Sequence, residues 1–335
     1  MRAFVTGSTG LLGSNLVRAL LADGYEVRAL VRSRQKAEKF LGTQAGLTFI
    51  EGDMEQVDAI APHLQGCDVL FHAAAYFREF FQPGDHWPIM ERINVKATVR
   101  ILELAEQAGV KKAIYVSSST VIGKLPNGQI SDESTPPDAY AMRSLYPKSK
   151  VVAEEAVQKF IQTHHMPVVL ILPTWMFGPG DAAPTAAGQI LIDFMAGKLP
   201  VIVPGGNMMV DARDVAQAMI AAVEKGRSGE RYIIGGCGYS IADLVHMLEK
   251  VTGKKGPTMR MPEPFFVPFA RFSEFMARLR NTESLVTVNG AESLIQNIQV
   301  KSDKAIRELG VTFRPFEETL QDEIAWFRQK QMINV

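Results

Sequence analysis

A glycine-spaced turn set between an apolar strand and an amphipathic helix constrains this chain more than any other feature. Ala3-Phe4-Val5-Thr6 runs into Gly7-Ser8-Thr9-Gly10-Leu11-Leu12-Gly13, after which Leu16, Val17 and Leu20 continue one apolar helical face. Glycines at this spacing let the backbone turn tightly, approach a bound pyrophosphate and bring the helix close to the sheet. The helix N-terminus then offers free N–H groups and positive potential to an anion. Strand, turn and helix together predict a dinucleotide site with Gly7, Thr9, Gly10, Leu11, Leu12 and Gly13 along the phosphates.

Further short β-rich runs follow at 27–31, 47–50, 69–71, 113–116 and 168–172, separated by helical patterns. Such alternation predicts right-handed crossovers and a parallel sheet covered on both faces. Gly24 and Gly109 supply stop signals for helices over 11–21 and 87–107. After Pro173 the alternation breaks into Pro and Gly punctuation. The expected fold is α/β, a Rossmann-type doubly wound parallel sheet with a smaller, mostly helical C-terminal substrate domain. Residues 1–173 form the nucleotide domain, with 207–235 returning to it, and 174–206 and 236–335 form the substrate-binding or lid domain. A strand at 231–234 is expected to rejoin the main sheet.

Composition narrows the partners. With 36 basic and 36 acidic side chains, the chain has no net field to draw nucleic acid or an anionic membrane. No run reaches the ~18 apolar residues of a membrane span, so stable insertion is not expected. Cys67 and Cys237 stand far apart outside any metal-ligating cluster, which points to no metal and to reduced cytoplasm.

Where NAD-selecting proteins place a carboxylate for the ribose 2′-hydroxyl, this chain reads Val31-Arg32-Ser33-Arg34, followed by Lys36 and Lys39. Guanidinium suits a 2′-phosphate, so NADP(H) is the preferred cofactor, read by Arg32, with NAD(H) still usable. Asp53 and Met54 follow the third strand and Ala73, Ala74 and Ala75 the fourth, at carboxyl ends where a cofactor lies. Asp53 suits the adenine amino group, whereas His72 reads as a satisfied core histidine.

Tyr146-Pro147-Lys148-Ser149-Lys150 opens a helical pattern in which Tyr146 and Lys150 share a face. A phenol titrates near pH ~10, and a neighbouring ammonium is expected to lower it by roughly 1–3 units. The fifth strand ends in Ser117-Ser118-Ser119, where a hydroxyl can orient a carbonyl oxygen or merely cap the turn.

The glycine turn, the strand-end serines and the Tyr-x-x-x-Lys pair together resemble the extended branch of the short-chain dehydrogenase/reductase superfamily, over nearly the whole chain. The resemblance implies Ser118, Tyr146 and Lys150 as the catalytic set, with Ser119 a substitute for Ser118. It also implies that Lys150 binds the nicotinamide ribose, that Pro173 lies beside the nicotinamide and that Asn94 matches a recurrent asparagine. Trp175 stands where many nucleotide-sugar epimerases carry an asparagine. Tyr76, Phe77, Phe80, Phe81 and Trp87 add aromatic surface, which is read either as pocket or as core and dimer packing.

These features look most like the dihydroflavonol reductase-like group, whose relatives include hopanoid-associated sugar epimerases. The expected activity is NADP(H)-dependent reduction of a fairly apolar ketone or aldehyde, or oxidation of its alcohol. A nucleotide-sugar epimerase or dehydratase is the alternative, and a non-enzymatic NADP-binding sensor a lesser one. A homodimer is left open. Aromatics at helical spacing over 262–279 are read as a lid over the pocket or as a surface that touches membranes.

Overall fold

A computed structural model describes residues 1–77, 85–280 and 286–333, the side chains of 127, 278 and 280 aside. Seven strands form the main sheet: β1 (Arg2–Thr6), β2 (Glu26–Val31), β3 (Leu47–Glu51), β4 (Val69–His72), β5 (Lys112–Val116), β6 (Val168–Pro173) and β9 (Arg231–Ile234). Their order is β3-β2-β1-β4-β5-β6-β9, and every pairing is parallel. The order reverses beside β1, which opens a crevice at the carboxyl ends of β1 and β4. All six residues of β6 are buried, as a strand covered on both faces requires.

One face of the sheet carries helices Ala97–Gln107 and Leu145–Thr163, whose Ile101, Leu102, Val151 and Val157 pack on Leu70, Tyr115 and Leu170. The opposite face carries helices Leu11–Ala22 and Ala212–Lys225, whose Leu16, Val17, Val215 and Met219 pack on Val5, Phe71 and Ile171. Alternate residues of each strand therefore feed different cores.

A second sheet of three strands, β10-β8-β7, joins β7 (Trp175–Phe177), β8 (Gly206–Asp211) and β10 (Cys237–Ser240). Residues 207–211, expected to return with the nucleotide domain, lie in this sheet instead. Gly206 lets β8 and β10 approach, because a Cβ there would stand 2.4 Å from the Tyr239 carbonyl oxygen across the pair. The chain re-enters the main layer with helix Ala212–Lys225. The small sheet, helix Ala186–Met195, helix Ile241–Thr252 and helix Phe316–Gln329 share a third core built on Phe177, Leu191, Leu248 and Phe327.

The continuous helix expected over 87–107 is interrupted. Trp87–Met90 is α-helical, Glu91–Lys96 is a π-helical turn, and α-helix resumes at Ala97. The wider turn buries Asn94, with consequences for the site.

Candidate active site

At Gly7 and Gly13 the geometry leaves no room for a side chain. A Cβ on Gly7, whose φ is +68°, would lie 2.8 Å from the Ala73 carbonyl carbon, and one on Gly13 would lie 2.0 Å from the Gly7 carbonyl oxygen. The Gly10 N–H donates to the Gly7 carbonyl oxygen, and Gly10 caps the following helix with no side-chain bond. The leading amides of the helix are thus left to a ligand, and Thr9, Leu11 and Leu12 flank them. A turn folded this tightly on its own backbone ahead of a helix N-terminus suits a dinucleotide pyrophosphate. The Ala74 N–H donates to Thr6 Oγ1, which holds β1 and β4 together beneath this cradle, while Ala75 is exposed above it.

Arg32 is exposed just after β2 and makes no ion pair among the described residues. Arg34, by contrast, is paired with Glu38 at 2.7 Å. Asp53 spends one carboxylate oxygen on the Glu55 N–H, capping a 3₁₀ turn, and Met54 is buried behind it. His72 is a core histidine: Nδ1 meets Thr6 Oγ1 at 2.7 Å and Nε2 meets Thr98 Oγ1 at 2.9 Å. Burial and the nearby Lys150 charge push its pKa down to about 3.

Ser118, Tyr146 and Lys150 converge past the end of β5. Ser118 is extended and caps the turn Ser119–Val121, with the Thr120 hydroxyl donating to its Oγ at 3.0 Å. Ser119 is half-buried beside it. Lys150 is only 2% exposed and donates to the Val116 carbonyl at 3.0 Å. Its Nζ stands 5.4 Å from the Tyr115 ring centre and 6.0 Å from that of Tyr146. Pro173 is buried at the end of β6, across the same strand edge.

The expectation of an acidified phenol is corrected here. Burial pushes Tyr146 up to about 12, opposed only by its bond with Ser118. Burial also pushes Lys150 down to about 8, so the ammonium meant to assist the phenol is itself poorly tolerated. Helical spacing brings the pair together but says nothing of the desolvation that the surrounding core imposes.

Asn94 supports the constellation from the π turn. Its Oδ1 accepts from the Tyr76 N–H at 2.7 Å, and its Nδ2 donates to the Tyr76 carbonyl and to Ser149 Oγ, each at 3.1 Å. The loop carrying Phe77 is thereby tied to helix Leu145–Thr163. The Phe77 ring lies 4.5 Å from the Tyr146 ring, centre to centre. Trp87 lies beneath the Lys148 ammonium at 4.5 Å. Trp175 packs edge-on against Phe177 in the small sheet. Phe80 and Phe81 lie outside the described residues.

Sequence reasoning passed over Glu154, one turn beyond Lys150. It is buried, its carboxylate stands 3.1 Å from Arg231 Nε on β9, and its charge favours the protonated form of Lys150. The i, i+4 spacing on an otherwise apolar helical face was the available signal. A separate cleft of about 590 Å³, lined by Arg18, Arg213, Arg314 and Lys330 among others, contains none of these residues.

Residues 3–235 match the model of the NAD dependent epimerase/dehydratase family. The chain belongs to that family. It is therefore an enzyme of the extended short-chain dehydrogenase/reductase type. A Synechocystis sp. protein whose name assigns it provisionally as a dihydroflavonol 4-reductase is 31% identical over 97% of this chain and 94% of its own length. Sterol demethylase protein B of Methylococcus capsulatus is 30% identical over 99% and 100%. A 4-hydroxy-2-methyl-3-oxo-4-farnesyl-3,4-dihydroquinoline-1-oxide ketoreductase of Stigmatella aurantiaca is 32% identical over 94% and 92%. The crystal structure of gox2253 superposes with a TM-score of 0.84 at 33% identity, over 99% of each chain. A UDP-glucuronic acid 4-epimerase from Bacillus cereus, solved with NAD, shares the fold at a TM-score of 0.79 and 23% identity over 98% of this chain and 100% of its own.

Proposed function

We propose that this protein is an NADP(H)-dependent reductase of a fairly apolar ketone or aldehyde, and that it catalyses the reverse oxidation of the alcohol. The observation that carries the reading is the convergence of Ser118, Tyr146 and Lys150 at one strand edge, beside a glycine cradle fit for a dinucleotide. Bound NADPH supplies the hydride. Tyr146, neutral with a pKa of about 12, donates its proton to the carbonyl oxygen as negative charge develops there. Ser118 holds that oxygen in line, and its bond to Tyr146 steadies the phenol for transfer. Lys150 in its ammonium form offsets the charge left on Tyr146 and holds the nicotinamide ribose.

Two observations support the cofactor and substrate classes. Arg32, exposed and free of any ion pair among the described residues, suits a 2′-phosphate. The Phe77 ring against Tyr146, together with relatives named for a sterol and a farnesylated ketone, favours an apolar carbonyl compound.

The test is NADPH consumption against aromatic, steroidal and aliphatic carbonyl compounds, with Tyr146→Phe as the control. Loss of the proton donor is expected to lower kcat by roughly 10³-fold while NADPH still binds. A Tyr146→Phe protein with full turnover would falsify the assignment. If no carbonyl compound drains NADPH but a nucleotide sugar is isomerised without net redox change, the epimerase reading replaces it.

A further inference from the structure

Helix Glu263–Arg280 packs on helix Val288–Gln296 through Phe266 and Ala270, which meet Ala291 in a small core with Val267 beside them, and through Glu274, whose carboxylate accepts from the Val288 N–H at 2.8 Å. Phe265, Phe272, Phe275 and Leu279 leave that core and, with Met259 just before the helix, are 58–70% exposed. They recur at steps of seven, three and four residues, which places them on one side of the helix. A lid would turn these rings toward the crevice; here Phe266 is fully buried and Phe269 half-buried, while Phe265, Phe272 and Phe275 face outward.

The charge around this face is equally one-sided. Segment 254–280 carries six basic residues against two acidic ones, a net of +4 in a chain whose total is zero. Lys255 and Arg271 are exposed and make no ion pair among the described residues.

We infer that this face docks the enzyme on an anionic lipid bilayer. Aromatic and aliphatic side chains on one side of a helix with cations beside them match a segment lying in the headgroup layer. A second copy of the chain is a poorer occupant. At about 60% exposure, five side chains of ~200 Å² each present roughly 600 Å², short of the ~800 Å² each partner gives to a stable dimer. Two such segments would also bring like charge against like. No described helix is long and apolar enough to cross a membrane, so the contact is peripheral.

The face is joined to the catalytic floor through few intermediaries. Helix Val288–Gln296 is held by Tyr140, whose hydroxyl donates to the Asn289 carbonyl at 3.4 Å, and by the Arg143–Glu292 pair at 3.3 Å. The short helix carrying both, Ala139–Arg143, ends three residues before Tyr146. Docking would therefore set the crevice close to the bilayer, where a membrane-partitioned carbonyl compound is concentrated. That purpose rests on the apolar-substrate reading; the docking itself does not.

Flotation of the full chain with vesicles of phosphatidylcholine alone, or of phosphatidylcholine with phosphatidylglycerol, tests it. The wild type should float with the anionic vesicles and be released by high salt. A Phe265→Ser, Phe272→Ser, Phe275→Ser protein should lose roughly a hundredfold in partition coefficient while keeping its thermal unfolding and its NADPH affinity. Wild type that stays behind with both vesicles, or a triple variant that floats as well as wild type, overturns the inference. So does a dimer in light scattering that the triple variant abolishes. Flotation needs no turnover, so a failed carbonyl assay leaves this result standing, and a failed flotation leaves the reductase assay standing.

Discussion

At Gly13 one added carbon would land 2.0 Å from the Gly7 carbonyl oxygen, whereas at Phe272 a whole phenyl ring stands largely in solvent. The glycine turn is clasped by backbone from β1 and β4, so its shape is dictated by contacts that tolerate no side chain. Helix Glu263–Arg280 rests on a core of three fully buried side chains, Phe266, Ala270 and Ala291. The glycine turn is thus set by what cannot fit, and the outer helix by what has been left uncovered. The first kind of constraint fixes structure; the second leaves surface available to a partner.

The largest effect that would sharpen this contrast is expected from Gly13→Val. With backbone on every near side, relaxation is costly, and a loss of roughly 4 kcal/mol or an unfolded product is expected in thermal denaturation. A folded Gly13→Val protein that still binds NADPH would break the comparison.

Next comes the pH dependence of reduction. Because Lys150 titrates at about 8, it is an ammonium below that pH and neutral above. If the ammonium is required, kcat/KM should fall about tenfold per pH unit on the alkaline side. The Glu154 charge favours the ammonium, so Glu154→Gln should move that limb to lower pH, and an unmoved limb would show Glu154 to be structural only.

A smaller change is expected from Arg32→Ser, which removes the guanidinium offered to the 2′-phosphate. The ratio of kcat/KM for NADPH over NADH should drop roughly 10- to 100-fold, as loss of a charge-assisted hydrogen bond implies. An unchanged ratio would move cofactor choice elsewhere.

Smallest of all is Phe272→Ala. In the protein away from lipid it should alter stability by no more than ~0.5 kcal/mol, measured by denaturant unfolding. A loss of several times that would mean the ring is buried in solution, and the two regions would no longer differ.

The main sheet was readable because its signals are local. The run expected at 3–5 is Arg2–Thr6 in the structure, and the one at 168–172 is Val168–Pro173. That Ser118 follows a strand end and that Tyr146 and Lys150 share one helical face was readable too, since both are short-range properties. What depends on distant partners was not. The π turn that buries Asn94 follows from its bonds to Tyr76 and Ser149, 18 and 55 residues away. The placement of β8 in the small sheet follows from pairing with β7 and β10, and the rise of the Tyr146 pKa from burial that helical spacing does not report. Periodicity reports which face a residue takes, not what will press on it.

One long-range bond bears on the order in which the molecule is made. Six of the seven main strands come from residues 2–173, but the loop following β7 is held by the Gly178 N–H donating to the buried Glu323, 145 residues further on. On a ribosome adding ~5–20 residues each second, that tether arrives roughly seven to thirty seconds after the loop itself. During that interval the loop has the Asn15 side chain, which donates to the Pro179 carbonyl at 2.8 Å, but not its Glu323 tether. Translation speed across 178–323 thereby sets how long the loop after β7 waits for its last tether.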